Sequence, residues 1–125
     1  MKKIISTSDA PKAIGPYSQA IMVDNTLYTS GQIAINPIDN TLNTSDIRSE
    51  TKQVMKNLDA ILSAADMTFA NVVKCSIFMR DIDHYTEIND IYSKCFFENP
   101  PAREAVEVSS LPKNVNLEIS LIAEK

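Results

Sequence analysis

One apolar stripe over residues 46–65 constrains the fold more than any other feature of the sequence. Apolar and small residues recur there at spacings of three and four, the period of a helix that buries one face. The members of the stripe are Ile47, Thr51, Val54, Met55, Leu58, Ile61, Leu62 and Ala65. Ser45 or Asp46 can serve as the N-cap. The spacing predicts a helix from about residue 46 to residue 65 that needs a partner layer to cover its stripe.

A second helical pattern runs from about residue 83 to residue 96, again with its apolar residues on one side. Asp83 is the expected N-cap, and residues 99–101, Asn-Pro-Pro, end the helix because the position before a proline disfavours helical backbone. We expect the aromatic residues of this segment to belong to the core and not to a base-stacking platform. They are Tyr85, Tyr92, Phe96 and Phe97.

Strand-like runs lie before, between and after the two helices, where apolar residues alternate or run continuously. The expected strands are residues 3–6, 18–23, 27–31 and 72–79, and then the two segments that carry Arg103 and Glu118. The order β-β-β-α-β-α-β-β predicts an α+β fold, a two-layer sandwich with both helices packed on one face of a mixed β-sheet. The other face then needs a cover, and further copies of the chain in a closed symmetric oligomer are the simplest one.

Length, charge and composition restrict the kind of protein that this chain can form. A chain of 125 residues predicts a single domain over residues 1–125. Twelve Lys and Arg against sixteen Asp and Glu give a net charge of -4 without a basic stripe, which argues against a dedicated nucleic-acid binder. We expect a soluble, cytoplasmic protein, because the sequence shows neither a secretory signal nor a membrane-spanning run. Cys75 and Cys95 are expected to be buried free thiols, and one histidine without a Cys/His cluster makes a metal site unexpected.

Arg103 and Glu118 carry the candidate chemistry. They lie on two alternating segments joined by the turn at residues 109–114, and if these segments pair as a hairpin the two side chains can meet, depending on register. A guanidinium beside a carboxylate makes a small-anion site with a built-in acid/base group. A structural ion pair on the sheet is the alternative. The only two glycines, Gly15 and Gly31, mark positions where backbone shape or close approach matters.

Five segments of the chain together form a specific combination of motifs. They are Ala13-Ile14-Gly15-Pro16-Tyr17-Ser18-Gln19-Ala20, Leu27-Tyr28-Thr29-Ser30-Gly31-Gln32, Pro101-Ala102-Arg103, Leu111-Pro112 and Leu117-Glu118-Ile119. This combination resembles the RidA (YjgF) family of imine deaminases over about residues 3–123. The resemblance implies a chorismate-mutase-like fold and a homotrimer with clefts between subunits. It implies hydrolysis of short 2-imino or 2-enamino acids, namely 2-iminobutanoate and 2-iminopropanoate, to 2-keto acids and ammonia without a cofactor.

In this family the substrates are reactive intermediates released by pyridoxal-phosphate enzymes, so the implied role is metabolite damage control. The resemblance further implies that Arg103 clamps the substrate carboxylate and that Glu118 handles the attacking water. The implied substrate-binding residues are Tyr17, Ser30, Gly31, Asn89 and, through its backbone N–H, Ala105. These types suit the chemistry, because a guanidinium binds a carboxylate through two parallel hydrogen bonds and a carboxylate can act as a general base.

The sequence departs from the family pattern at several positions, among them Ala105, where archetypal members carry Cys, and the loop at residues 36–45. Glu104 follows Arg103 where a small residue is usual, and its side chain should point away from the Arg103 face of the strand. Asp66 follows the first helix where a glycine is usual, and Asp tolerates left-handed backbone less well. The alternative function is a non-catalytic module that binds 2-keto acids, which would need Arg103 but not Glu118. RNA cleavage, a third activity attached to the family, fits the acidic charge balance poorly.

Overall fold

The computed structural model describes residues 1–125 and contains six strands and two helices. The strands are β1 (Lys2–Ile5), β2 (Ala20–Val23), β3 (Thr26–Thr29), β4 (Val72–Met79), β5 (Ala102–Glu107) and β6 (Leu117–Glu124). The helices are α1 (Ile47–Ala64) and α2 (Tyr85–Ser93). Each predicted element is present. The bounds of β4 agree with the prediction, the ends of the other elements differ by a few residues at most, and the predicted α+β class is confirmed.

All six strands join one mixed sheet in the order β1-β2-β3-β6-β4-β5. Only β4 and β5 run parallel, and each of the other neighbouring pairs is antiparallel. The strand β4 therefore lies between β5 and β6, so the Arg103 and Glu118 segments do not form the hairpin that the sequence left open. The physical reason is that β4, α2 and β5 form a β-α-β unit. Its crossover helix returns the chain parallel to β4, on the edge of β4 that β6 leaves free.

Both helices cover the same face of the sheet, and the core lies between the two layers. The stripe of α1 supplies Val54, Leu58, Ile61 and Leu62, which are all fully buried. From the sheet, alternate residues of β4 and β6 face them, including Cys75, Ile77, Leu117 and Ile119. The helix α1 begins at the predicted N-cap, where the Asp46 carboxylate accepts a hydrogen bond from the backbone N–H of Ser49 at 2.8 Å.

The start of α2 differs from the prediction. His84 occupies its N-cap position and makes no capping hydrogen bond, so the assignment of Asp83 as the cap was wrong. A 3-10 turn, Ile82–His84, precedes the helix, and Asp81 caps that turn by accepting from the backbone N–H of Asp83. Among the aromatic residues that were expected in the core, Tyr92 is 4% exposed, but Tyr85 is 40% and Phe97 is 91% exposed.

The second face of the sheet carries no helix. A row of side chains in register crosses it from β1 to β6, namely Ile4, Ile21, Tyr28 and Ile122. Ile4 and Tyr28 are 62% and 47% exposed. Glu104 also lies on this face, where it pairs with Lys74 at 2.8 Å and accepts a hydrogen bond from Ser76. The predicted direction of its side chain, away from the Arg103 face, is therefore confirmed.

Candidate active site

A cavity of about 760 Å³ opens between the N-terminal segment, the loop after β3 and the turn before β6. It is lined by Pro11, Lys12, Ile14, Tyr17, Gln19, Ser30, Gly31, Gln32, Ile33, Ile35, Asn40, Thr41, Leu42, Pro112, Lys113 and Glu118. Four predicted site residues therefore come together here: Tyr17, Ser30, Gly31 and Glu118. The other three, Arg103, Asn89 and Ala105, do not line this cavity.

The centre of the cavity is the contact between Gly31 and Glu118. Backbone hydrogen bonds in both directions join Gln32 to Ile119 at 2.8 and 3.1 Å, and this antiparallel bridge places Gly31 and Glu118 diagonally across from each other. A Cβ atom on Gly31 would lie 2.5 Å from Glu118 Oε2 and 2.7 Å from its Cδ, so only glycine admits the carboxylate in this position. Burial raises the pKa of Glu118, which makes its carboxylate a stronger base than an exposed one.

One buried side chain fixes the N-terminal wall of the cavity. The Gln19 amide accepts from the backbone N–H of Thr7 at 2.7 Å and donates to the carbonyls of Thr7, Ala10 and Pro11. The hydroxyl of Ser30 also faces this wall and donates to the Ser18 carbonyl. Gln19 belongs to the motif at residues 13–20, but the sequence alone did not assign it a role. Its position in that motif, directly before a strand, was the available signal.

Polar residues on the buried side of α1 hold two further walls. Asn57 donates from Nδ2 to the carbonyls of Ile33 and Ile35 at 3.2 and 2.9 Å. Glu50, which is fully buried, accepts from both the backbone N–H and the side-chain amide of Asn116 at 2.8 Å each. Sequence reasoning missed these residues, although polar side chains at helical spacing within an apolar stripe were visible in the sequence.

The turn before β6 is held in strained backbone. Lys113 and Asn114 are both left-handed, with φ of 56° and 57°, which is costly for residues other than glycine. Arg80 stabilises the turn through two hydrogen bonds. Its guanidinium donates to the Asn114 carbonyl at 3.1 Å, and its backbone N–H donates to the Asn116 carbonyl. The strained turn places Lys113 on the same cavity as Glu118. Sequence reasoning gave neither Lys113 nor Arg80 a role.

Arg103 lies in a second group of residues, between α2 and β5. It pairs in register with Cys75, which faces the helices. The Arg103 Nη2 donates to the hydroxyl of Tyr85 at 2.6 Å, and its Cζ lies 5.5 Å from the centre of the Tyr85 ring and 4.9 Å from that of Tyr92. Asn89 follows Tyr85 by one helical turn and shares its side of α2.

Ala105 belongs to the same group. It lies two residues after Arg103 on β5, and so the two share a face of the strand. The N–H of Val108 donates to the Met79 carbonyl of β4. Because N–H groups alternate in direction along a strand, the N–H of Ala105 points to the free edge of the sheet. This N–H is therefore available to an outside acceptor.

The two groups are well separated within one chain. The register partner of Arg103 is Cys75, and the residue on β6 opposite Cys75 is Leu121, three positions from Glu118. With strands about 4.8 Å apart and about 3.3 Å per residue, the two Cα atoms are about 14 Å apart. The side chains also lie on opposite faces of the sheet, and the two residues form no ion pair. The alternative of a structural Arg103–Glu118 pair within one chain is therefore wrong.

Cys75 and Cys95 are free thiols, as predicted, with Cys75 buried and Cys95 partly buried. Burial raises the pKa of both thiols. The structure places no group of three or more His, Cys, Asp or Glu side chains where they could hold a metal ion. Neither helix combines the length and apolar character that a bilayer crossing demands.

The mixed sheet, the two helices on one face and the cavity beside Gly31 define a class of small α+β proteins that solved structures share. A Yersinia pestis protein of the conserved Rid family superposes with a TM-score of 0.98 at 48% identity, covering all of both chains. E. coli TdcF, solved with bound serine, superposes with a TM-score of 0.94 at 35% identity, covering 98% of each chain. The chain matches the family model described as Endoribonuclease L-PSP over residues 7–125.

The chain belongs to this family, the RidA (YjgF) family, as the sequence motifs indicated. A Homo sapiens relative named 2-iminobutanoate/2-iminopropanoate deaminase is 45% identical over 123 residues, which are 98% of this chain and 90% of the human protein. A RutC family protein of Pyrococcus horikoshii is 46% identical over 125 residues, 100% of this chain and 99% of its own.

Proposed function

We propose that this protein is a deaminase that hydrolyses short 2-imino and 2-enamino acids, such as 2-iminobutanoate and 2-iminopropanoate, to 2-keto acids and ammonia. The observation that carries the proposal is the half-buried Glu118 carboxylate, held against Gly31 in a cavity large enough for a small metabolite. Relatives of human and rat that bear the deaminase name, at 45% and 47% identity, support the same reaction class.

The residue chemistry accounts for each step. Glu118 accepts a proton from water as the water oxygen adds to C2 of the protonated imine. The same carboxylic acid then returns the proton to the nitrogen, and the C–N bond breaks as the hydroxyl on C2 gives its proton to the Glu118 carboxylate and becomes the carbonyl, which releases ammonia and the 2-keto acid. The raised pKa of Glu118 suits both halves of this exchange. Orientation supplies the remaining rate enhancement, and so we propose a site that works without a metal or organic cofactor.

We propose that the complete site lies between subunits of a homotrimer. Arg103, with Asn89 and the N–H of Ala105, would bind the substrate carboxylate from one subunit. The cavity of Tyr17, Ser30, Gly31 and Glu118 would come from its neighbour. Two observations support this arrangement: the two groups lie on opposite faces of one sheet, and the uncovered face presents an apolar row that further copies would bury.

The substrate class follows from Arg103. A guanidinium clamps a carboxylate through two hydrogen bonds and stays charged at every physiological pH. E. coli TdcF, at 35% identity, holds serine in its solved structure, and serine carries its carboxylate on the amino-bearing carbon. This is the arrangement of a 2-imino acid. The proposed role is the removal of such intermediates in the cytoplasm after pyridoxal-phosphate enzymes release them.

The test couples a serine/threonine dehydratase to this protein and follows semicarbazone formation, because semicarbazide traps the nascent imine. Wild-type protein should suppress the semicarbazone signal. Arg103→Ala should abolish suppression, whereas the control Arg48→Ala should preserve it, because Arg48 lies on the exposed side of α1 in surface ion pairs with Glu87 and Asp90. A folded wild-type protein that leaves the semicarbazone signal unchanged would overturn the proposal for short imino acids.

Glu118→Gln separates the enzyme from the alternative, a module that only binds 2-keto acids. In the enzyme this variant should lose turnover and retain affinity for 2-oxobutanoate. In a binding module wild type and variant would both bind and neither would suppress the signal. We do not propose RNA cleavage, because the net charge of -4 without a basic stripe provides no surface for a phosphate backbone.

A further inference from the structure

We propose that Tyr85 is a second ligand of the substrate carboxylate, donating its hydroxyl hydrogen to the carboxylate beside the Arg103 guanidinium. The inference rests on the proposed function, in which Arg103 binds that carboxylate. Tyr85 thereby joins the proposed substrate-binding residues, although no sequence motif indicated it. In this role it contacts the substrate as well as Arg103.

The direction of one hydrogen bond leads to this inference. A guanidinium can only donate, so in the 2.6 Å contact between Arg103 Nη2 and Tyr85 Oη the phenolic oxygen is the acceptor. The hydroxyl hydrogen of Tyr85 therefore remains free. Its side chain is 40% exposed, and the structure offers this hydrogen no protein acceptor. A free donor thus lies directly beside the cation that is proposed to bind the carboxylate.

The surroundings hold this donor in place. The Arg103 Cζ lies 4.9 Å from the centre of the Tyr92 ring, and Tyr92 is almost fully buried, so the guanidinium rests on a fixed aromatic surface. Tyr85 is the first residue of α2, and Asn89 follows it by one turn on the same side. Tyr85 and Asn89 therefore point toward one region at the edge of β5.

The pairing with Arg103 also improves Tyr85 as a donor. A hydroxyl that accepts a hydrogen bond from a cation is polarised, and its own hydrogen binds an anion more strongly. A carboxylate that accepts from Arg103 with one oxygen can accept from Tyr85 with the other. An uncharged carboxamide in its place gains much less from either donor. The pair therefore selects an anionic carboxylate end group.

The experiment compares wild type with Tyr85→Phe, which keeps the ring over Arg103 and removes only the hydroxyl. The control is Thr86→Val, which deletes a hydroxyl from the next residue of α2 on a different side of the helix. Calorimetry gives the Kd for 2-oxobutanoate, and the coupled assay gives KM and kcat. We expect Tyr85→Phe to raise Kd and KM about tenfold, as for a lost hydrogen bond to a charged group, with kcat changed less than about twofold.

A crystal structure of the wild-type complex with 2-oxobutanoate completes the test. We expect Tyr85 Oη within hydrogen-bonding distance of a carboxylate oxygen. Unchanged Kd and KM in Tyr85→Phe would overturn the inference. A raised Kd would also overturn it if the Tyr85 hydroxyl lies beyond hydrogen-bonding distance of the carboxylate in the complex, because Tyr85 would then only hold Arg103 in place. Wild-type protein that binds 2-oxobutanoate but does not deaminate overturns the proposed function alone. Protein that neither binds 2-oxobutanoate nor suppresses the semicarbazone signal overturns both.

Discussion

Gly31 and Glu118 depend on each other at the scale of single residues. We predict that Gly31→Ala lowers kcat/KM at least tenfold, because the new Cβ would overlap the carboxylate that sits 2.5 Å from its position. A displacement of about 1 Å at a reacting group can cost about 100-fold in rate. The coupled semicarbazone assay measures the loss. The backbone of Gly31 is not left-handed, so the variant should fold normally, and wild-type activity in it would contradict the assigned position of Glu118.

The pH dependence of the reaction follows from the burial of Glu118. Burial raises its pKa above the ordinary value of 4.5, so the ionised base is lost at a higher pH than for an exposed glutamate. We predict that the acidic limb of kcat/KM lies above pH 4.5. A pH–rate profile between about pH 4 and pH 8 measures it. An acidic limb at or below 4.5 would show that Glu118 is not the base.

The stability of the Glu118→Gln variant tests the raised pKa of Glu118 independently of the reaction. A group whose folded pKa is raised contributes stability that is fully present below its unfolded pKa and is lost as the pH rises through the folded pKa. Ionised Glu118 therefore destabilises the fold at neutral pH. Glu118→Gln should unfold at a higher urea concentration than wild type at pH 7, and the difference should shrink as the pH falls through the raised pKa of Glu118 and be lost below about 4.5.

At the scale of elements, the end of α1 carries a conformational cost. Asp66 follows the helix with φ of 58°, and two hydrogen bonds, from Asp66 to Ser63 and from Met67 to Leu62, complete a Schellman motif. Glycine adopts this backbone without steric cost. We predict that Asp66→Gly raises the free energy of unfolding by about 1 kcal/mol. Urea denaturation measures this change, and a loss of stability would contradict the assignment.

The same helix shows how much of an element can be predicted from its sequence. The apolar spacing correctly predicted where α1 begins and ends and which side it buries. It did not predict that Glu50 and Asn57, on the buried side, bind the loops that form the cavity walls. Their loop partners, three backbone groups and the side-chain amide of Asn116, lie more than twenty residues away. A periodic pattern contains no information on such partners, because they are set by how distant loops pass over the helix.

At the scale of the whole molecule, the proposed shared site makes a prediction about mixed oligomers. Arg103→Ala and Glu118→Gln should each be inactive alone. In trimers assembled from an equal mixture, about a quarter of the sites would combine an intact Arg103 with an intact Glu118 from the neighbouring subunit. Co-refolding the two variants should therefore restore about a quarter of wild-type activity. The coupled assay, with size-exclusion chromatography to confirm assembly, measures it.

The separate variants, refolded alone and then combined without exchange of subunits, are the control for this experiment and should remain inactive. A site within one chain would give no activity in either mixture. The structure favours the shared site because Arg103 and Glu118 lie about 14 Å apart on opposite faces of the sheet. Reassembled trimers without activity would contradict it.

The sequence by itself determined the class of the fold, the strand and helix segments and the family, because these follow from local periodicity and from motifs contiguous along the chain. It also indicated Gly31, one of only two glycines, whose missing side chain makes room for Glu118. Only the tertiary structure decided the order of the strands. The crossover through α2 placed β5 parallel to β4 and separated Arg103 from Glu118. Strand order depends on which edges remain free when helices pack, and so local pattern does not specify it.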